Sequence, residues 1–422
     1  MEIKEKIVSV IFALLLCAMV YSSFVQSLCM MALVILGFLN FDSAASGTKI
    51  SWTWQPFVRL KQFSKYSHFL VLTLYFWIVL FSFWQLDGDS SYFLERLRIK
   101  VPFLLIPLAY LGLPKLSRNS FQRILYFFIA MMAISVIGVL AMYAINFEEV
   151  NLLLKQGQHM ATPCNHIRFS QLVALSVLAG WYLIKTKYNS RIAAHGIIVK
   201  ILTVILFLSL HILSVKTGLV GLYATLFILT IRHIYTTRNY KVGVVVLVIM
   251  ILLPLVAYKT IPSFNRKVHY TLYDLQMYGE GQGSDYGDSG RITSLKVGAD
   301  LFKTSPIIGV GAGNLRSDVA IEFESNYPRY ERPLMPHNQF VFVLAGSGIL
   351  GVVLFLGALL IPLFYRQSYR NDFYLGFYIL FLVSFMVEHT LETALGVGIF
   401  SSFLLLCLLY VHNEYYLNKP VK

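Results

Sequence analysis

Eight side chains in this 422-residue sequence have the types and positions to do chemistry: His166, Arg168, Lys216, Arg291, His337, Asn338, Glu388 and His389. Arg168, Lys216 and Arg291 are cations. A guanidinium grips a phosphate through two parallel N–H groups, and an ammonium acts as a point charge. Together they suit a lipid phosphate or pyrophosphate, whose departure they would stabilise electrostatically. His337 follows Pro336, a residue suited to the first turn of a helix. The positive end of the helix dipole disfavours imidazolium there. A neutral histidine can take a proton from a hydroxyl, so general base is one role. A helix-start histidine bonded to a loop carbonyl is the other. His166 reads as an interfacial residue or a second ligand-binding group. Asn338, Glu388 and His389 are possible acceptor or donor contacts. Glu388, His389 and Glu392 offer metal-ligating types, but their spacing matches no metal signature. Orienting an acceptor hydroxyl or pairing with a cation fits them better.

The elements that must position these groups follow from composition. Only 13% of residues are charged and 57% are apolar. Soluble domains carry about a quarter charged residues, so a soluble enzyme, a disordered chain and a fibrous repeat are all excluded. Apolar runs of spanning length recur throughout. The fold class is all-α: a polytopic membrane protein of about twelve transmembrane helices. The spans are expected near 7–22, 24–40, 67–84, 101–113, 121–145, 167–184, 196–213, 217–232, 241–260, 338–364, 373–389 and 394–411. Met1 to Lys6 and the run after it mimic a signal peptide but read as the first span. Residues 1–261 then hold nine spans, 262–336 form one long loop, and 337–422 hold three more spans.

The net charge of +14 gathers in short loops, where it orients a protein in the bilayer; nucleic acid is not implied. Basic loops inside put both termini in the cytoplasm and the long loop outside. All eight candidate residues then share the outer face. Ionisable groups at such positions are functional candidates by default. Four cysteines show no metal or disulfide spacing.

The long loop begins with a Gly- and Asp-rich stretch, Gly279 to Gly290, that lacks EF-hand ligand spacing. A helix is expected over Arg291 to Thr304, capped by Asp288 or Ser289 and stopped by Ser305-Pro306. Ile292, Leu295, Ala299 and Phe302 would form its apolar face, lying on the membrane or against the bundle. Pro306 to Asn314 (PIIGVGAGN) has no preceding strand and no following GK[ST], so a tight turn close to another element is expected rather than a nucleotide loop. Tyr327 and Tyr330 could stack on a sugar.

The stretch from Ser289 to Gly351 resembles the signature region of the O-antigen ligase and polymerase superfamily. It runs from Arg291 through Pro306-Ile307-Ile308-Gly309-Val310-Gly311 to His337-Asn338 and Gly346-Ser347-Gly348-Ile349-Leu350-Gly351. Val215-Lys216-Thr217-Gly218 resembles a further family motif in which Arg is usual; Lys keeps the charge and loses the bidentate grip. The resemblance implies a metal-independent, cofactor-free, inverting glycosyltransferase of the bacterial inner membrane. Its donor would be an undecaprenyl-diphosphate-linked glycan. Its acceptor would be lipid A core, with another glycan repeat or a protein hydroxyl as the alternatives. Arg291 and Lys216, assisted by Arg168, would hold the pyrophosphate, and His337 would activate the acceptor hydroxyl. The rival from another class is a lipid-glycan transporter, which would place ionisable residues at midplane in two related halves.

Overall fold

A computed structural model describes residues 2–44, 47–88, 90–188, 194–282 and 287–417. Part of the Gly-rich stretch, 283–286, lies outside them. The described chain is almost entirely helical. Eight helices are long and apolar enough to cross a membrane: Tyr66–Gln85, Arg118–Ile145, His166–Lys185, Ala194–Leu213, Lys216–Thr237, Tyr240–Thr260, Gln339–Arg370 and Ala394–His412. Ser23–Gly37 and Asp372–Val387 are apolar but shorter.

The packing sorts these helices by composition. His166–Lys185 and Ala394–His412 are buried almost throughout and form the centre. Tyr240–Thr260 exposes Val244, Val248, Ile251 and Leu255 along its length. A helix apolar all round yet exposed belongs in lipid.

Three features depart from the expected elements. A two-stranded antiparallel hairpin, Leu39–Ala44 paired with Gly47–Trp52, stands where only a loop was expected. The short Pro-flanked fourth span is the second half of a longer helix, Ser90–Gly112, with Pro102 and Pro107 inside it. The long loop holds three helices, of which only the second was located from the sequence: Pro262–Gly279, Asp288–Thr304 and Leu315–Asn326.

The Asp288–Thr304 helix forms where expected, with other residues in the two local roles. Its cap comes from another helix. Asp274 Oδ2 accepts from the backbone N–H of Asp288 at 2.5 Å and of Ser289 at 3.0 Å, and Ser289 Oγ donates to Asp274 Oδ1 at 2.7 Å. Asp288 is thereby free to face the cations described below. The buried face is Thr293, Ser294, Val297, Gly298 and Leu301. The stripe of Ile292, Leu295, Ala299 and Phe302 is half-buried or exposed. Small residues win the inner face because the start of the Gln339–Phe364 helix comes close: a Cβ on Gly298 would meet Val341 Cγ1 at 2.6 Å and Pro336 Cγ at 2.9 Å.

The expected tight turn is present, and it fills a break in a span. The Gln339–Phe364 helix is interrupted at Gly348 (φ 62°). A break orphans backbone donors and acceptors, costly where no water can reach them. The Pro306–Gly311 segment supplies partners on both sides. Val310 N–H and Gly311 N–H donate to Ala345 O (2.9 Å) and Gly346 O (3.0 Å), while Ile349 N–H and Leu350 N–H donate to Pro306 O (2.9 Å) and Ile307 O (3.2 Å). Contact is so close that a Cβ on Gly309 (φ 70°) would lie 2.3 Å from Ser347 N. The loop is therefore pinned to the span that follows His337.

Candidate active site

Arg291 opens outward from the first turn of the Asp288–Thr304 helix. Its Nη2 donates to Glu388 Oε1 at 2.9 Å, and its Nη1 lies 3.8 Å from Asp288 Oδ1. Asp288 also accepts from Lys216 Nζ, at the start of the Lys216–Thr237 helix. Glu388 Oε1 takes a second partner, His337 Nδ1, at 3.3 Å. One chain of contacts thus joins Lys216, Asp288, Arg291, Glu388 and His337 at one end of the bundle.

Lys216, Asp288, Arg291 and His337 border a cavity of about 610 Å³, which His166 also lines. Two further cations line it that the sequence reading did not single out, Lys267 and Arg332. Lys267 lies on the unanticipated Pro262–Gly279 helix and donates to Gly157 O at 2.9 Å. The only sequence signal for it is a basic residue on the Pro262-initiated helix; Arg332, in an irregular segment, has none. His166 follows the N-cap Asn165 and stacks on His159, centroids 3.7 Å apart.

Not every expected ligand reaches the cavity. Arg168 is buried behind the site, where it donates to Gln171 Oε1 and Thr390 Oγ1, each at 3.1 Å. It braces the turn that carries Glu388. Asn338 is the N-cap of the Gln339–Phe364 helix: its Oδ1 accepts from Phe340 N (2.8 Å) and Val341 N (3.1 Å), and its Nδ2 donates to Met386 O (2.9 Å). His337 therefore precedes the helix rather than opening it. Its backbone N–H donates to Ser294 Oγ at 3.1 Å, which ties it to the loop helix. Tyr330 is joined to Thr293 at 2.7 Å and sits with Tyr327 against Phe323.

Electrostatics define the roles. Burial pushes the Glu388 carboxyl up. The hydrogen bond from His337 and the charges of His337, Arg291 and His389 outweigh it and hold the group at about 2. Glu388 is thus a carboxylate at neutral pH and can only accept. His337 Nδ1 must then be its donor, so that in the neutral ring Nε2 carries the lone pair, as for histidine backed by a carboxylate elsewhere. His389 is held down to about 4, by burial first and then by His337. Its Nδ1–H donates to Pro336 O at 3.2 Å.

His337, Glu388 and His389 also offer three ligand atoms within 4.8 Å of one another. A metal there would compete with Arg291 for the same Glu388 oxygen, and a fixed guanidinium beside a divalent cation is unfavourable. A cation cluster that holds an anion is the better account of the donor set.

Lys267 is depressed to about 8, by burial first and then by Lys216 and Arg291. Above pH 8 it is neutral in the empty cavity, while an ordinary lysine stays charged to about 10.4. An entering dianion restores the charge. Pyrophosphate binding near pH 9 should therefore take up a proton beyond that of pyrophosphate itself, and Lys267→Arg should abolish the excess. Calorimetry in buffers of different ionisation heat reads this directly; equal uptake in the variant would contradict it.

A buried network fixes the turn behind the site. Glu392 Oε1 accepts from Tyr75 Oη (2.5 Å), Lys100 Nζ (2.7 Å) and Gln339 Nε2 (2.8 Å). Gln339 Oε1 accepts from Leu391 N–H at 2.7 Å. Burial pushes the Glu392 carboxyl up, but Lys100 and Arg96 outweigh it and hold it at about 2. Removing one partner strands a charge, at about 3–5 kcal/mol. Lys100→Met should lower the melting temperature in detergent markedly, and adding Glu392→Met should recover part of the loss. A neutral Lys100→Met would contradict this reading.

No curated protein matches the chain. Residues 201–356, just over a third of the sequence, match the family model described as O-antigen ligase. The matched segment holds Lys216, Lys267, Arg291, Arg332 and His337, together with the turn and the break at Gly348. Over residues 201–356 that match bears out the superfamily resemblance carried by the motifs.

Proposed function

We propose that this protein transfers a glycan from undecaprenyl diphosphate to an acceptor hydroxyl at the periplasmic face of the inner membrane. The acceptor we favour is lipid A core. In this reading the chain crosses the bilayer twelve times, with Ser23–Gly37, Asp372–Val387, the first helix and the Pro-containing helix completing the eight longer spans. Both termini are cytoplasmic.

The observation that carries the proposal is the convergence of Lys216, Lys267, Arg291 and Arg332 on one cavity with His337 at its edge. Four cations around one carboxylate suit a diphosphate. The reaction follows. The acceptor oxygen forms a bond to the anomeric carbon while the bond from that carbon to the phosphate oxygen breaks. The electron pair leaves on the diphosphate, whose developing charge the four cations stabilise. The acceptor proton passes to His337 Nε2, and Glu388 stabilises the imidazolium through Nδ1. Attack opposite the leaving group inverts the anomeric centre. No step requires a metal or cofactor.

The test supplies purified protein in nanodiscs with a radiolabelled undecaprenyl-diphosphate glycan and one of three acceptors: lipid A core, a second lipid-linked repeat, or a candidate protein. Label on lipid A core supports ligation. Lengthened lipid-linked glycan, or label on protein, would move the assignment to a polymerase or a protein transferase with the same site. Absence of transfer to any acceptor would remove the enzymatic reading in favour of transport.

A further inference from the structure

A second cavity, of about 940 Å³, adjoins the turn that follows Glu388. It is bounded by the start of the Ser23–Gly37 helix, the Ser90–Gly112 helix, Arg316 and the turn from His389 to Ala394. The two cavities share no lining residue: His337 borders the first and His389 the second. Their imidazole centroids are 5.1 Å apart.

The charges of the second cavity do not balance. Its carboxylates are Glu95 and Glu392. Glu95 pairs with Arg96 at 2.6 Å, and Glu392 takes Lys100 at 2.7 Å and Arg96 at 3.6 Å. That leaves Arg98 and Arg316 over. Neither has a carboxylate partner among the described residues, and the Arg316 guanidinium lies 5.7 Å over the Tyr92 ring. His389, held down to about 4, adds no charge at neutral pH. Arg96 is only 8% exposed, and its Nε–H has no hydrogen-bond partner among the described residues. A buried orphan donor is costly, and Arg96 is one of the residues that line this cavity. Both guanidiniums are exposed, so a neutral sugar would leave them to solvent. An anionic one would satisfy them bidentately.

We infer that this second cavity binds the acceptor, and that the acceptor sugar carries a carboxylate or phosphate held by Arg98 and Arg316. The inference rests on the glycan transfer proposed above.

The experiment compares wild type, Arg98→Ala/Arg316→Ala, the corresponding double lysine variant and His337→Ala, all in nanodiscs. Binding of trigalacturonate, glucose 6-phosphate and neutral galactotriose is measured by calorimetry. At least one anionic probe should bind wild type and His337→Ala alike, and bind the double alanine variant at least tenfold more weakly, with partial rescue by lysine. Whichever anion binds tighter identifies the group. Galactotriose should bind at least tenfold more weakly than that anion. Transfer to an anionic acceptor should show a raised KM and a retained kcat in the double alanine variant. Equal binding of neutral and anionic sugars, or wild-type affinity in the double variant, would overturn the inference. If anion binding depends on the arginines but wild type transfers glycan to no acceptor, the glycosyltransferase reading fails and the anion site stands.

Discussion

Replacing His337 by alanine should lower glycan transfer by about 10²–10⁴-fold, the usual contribution of a positioned general base, with donor binding nearly unchanged. The four cations that hold the diphosphate do not depend on the imidazole. The loss should therefore fall on kcat and leave KM for the lipid-linked donor within a few-fold. Glu388→Gln should fall between wild type and His337→Ala, about 10–100-fold down, as expected when the orienting partner of a histidine is changed. Glutamine keeps an acceptor near Nδ1 but cannot stabilise imidazolium by charge, and it weakens the hold on Arg291, now 2.9 Å from the carboxylate. Steady-state transfer kinetics on both variants check this ordering. A Glu388→Gln enzyme slower than His337→Ala would mean that Glu388, not His337, handles the proton.

Gly309→Val should abolish accumulation of folded protein, or leave protein that melts far below wild type. Two costs add. A valine at φ 70° is strained by about 1–3 kcal/mol. Its Cβ would also stand 2.3 Å from Ser347 N and 2.4 Å from Gly346 C, both backbone atoms that cannot turn aside. Displacing the loop breaks the hydrogen bonds from Val310 and Gly311 and re-exposes the broken ends of the span within the membrane. It also removes Gln85, whose Nε2 donates to Gly309 O at 2.9 Å. Gly138→Val is the control, because nothing lies within 4 Å of a Cβ there. Fluorescence-detected gel filtration and melting in detergent compare the two; equal behaviour would show that the turn does not support the span.

The same residues explain what the sequence made legible. Spans longer than a bilayer is thick announce themselves by apolar length alone, as Arg118–Ile145 and Gln339–Arg370 do. The glycines of the 309–313 stretch were readable as a close approach because few other side chains tolerate one. Their partner was not, since the pairing joins segments some forty residues apart through backbone atoms that carry no sequence signal. Local rules failed where a distant group took a local role. Asp288 has the right type and place to cap its helix, yet Asp274 caps it and Asp288 turns to Lys216. The Ile292–Phe302 stripe has helical period, but the space at Pro336 and Val341 admits only the Ser294–Gly298 side. Of the cations, Arg291 and Lys216 lie in motifs and stand in the cavity, and Lys267 and Arg332 could be found only once the loop was folded. Arg168 shares their end of the bundle but lies in its interior.

The most direct measurement of the central claim is the product balance of a single reaction. Purified protein would receive undecaprenyl-diphosphate-linked glycan and acceptor, and released undecaprenyl diphosphate and glycosylated acceptor would be counted together. The account predicts equal amounts of both from wild type, and loss of both from Arg291→Ala and His337→Ala at normal protein level. Release of undecaprenyl diphosphate without glycosylated acceptor, or the same yields from the variants, would contradict it.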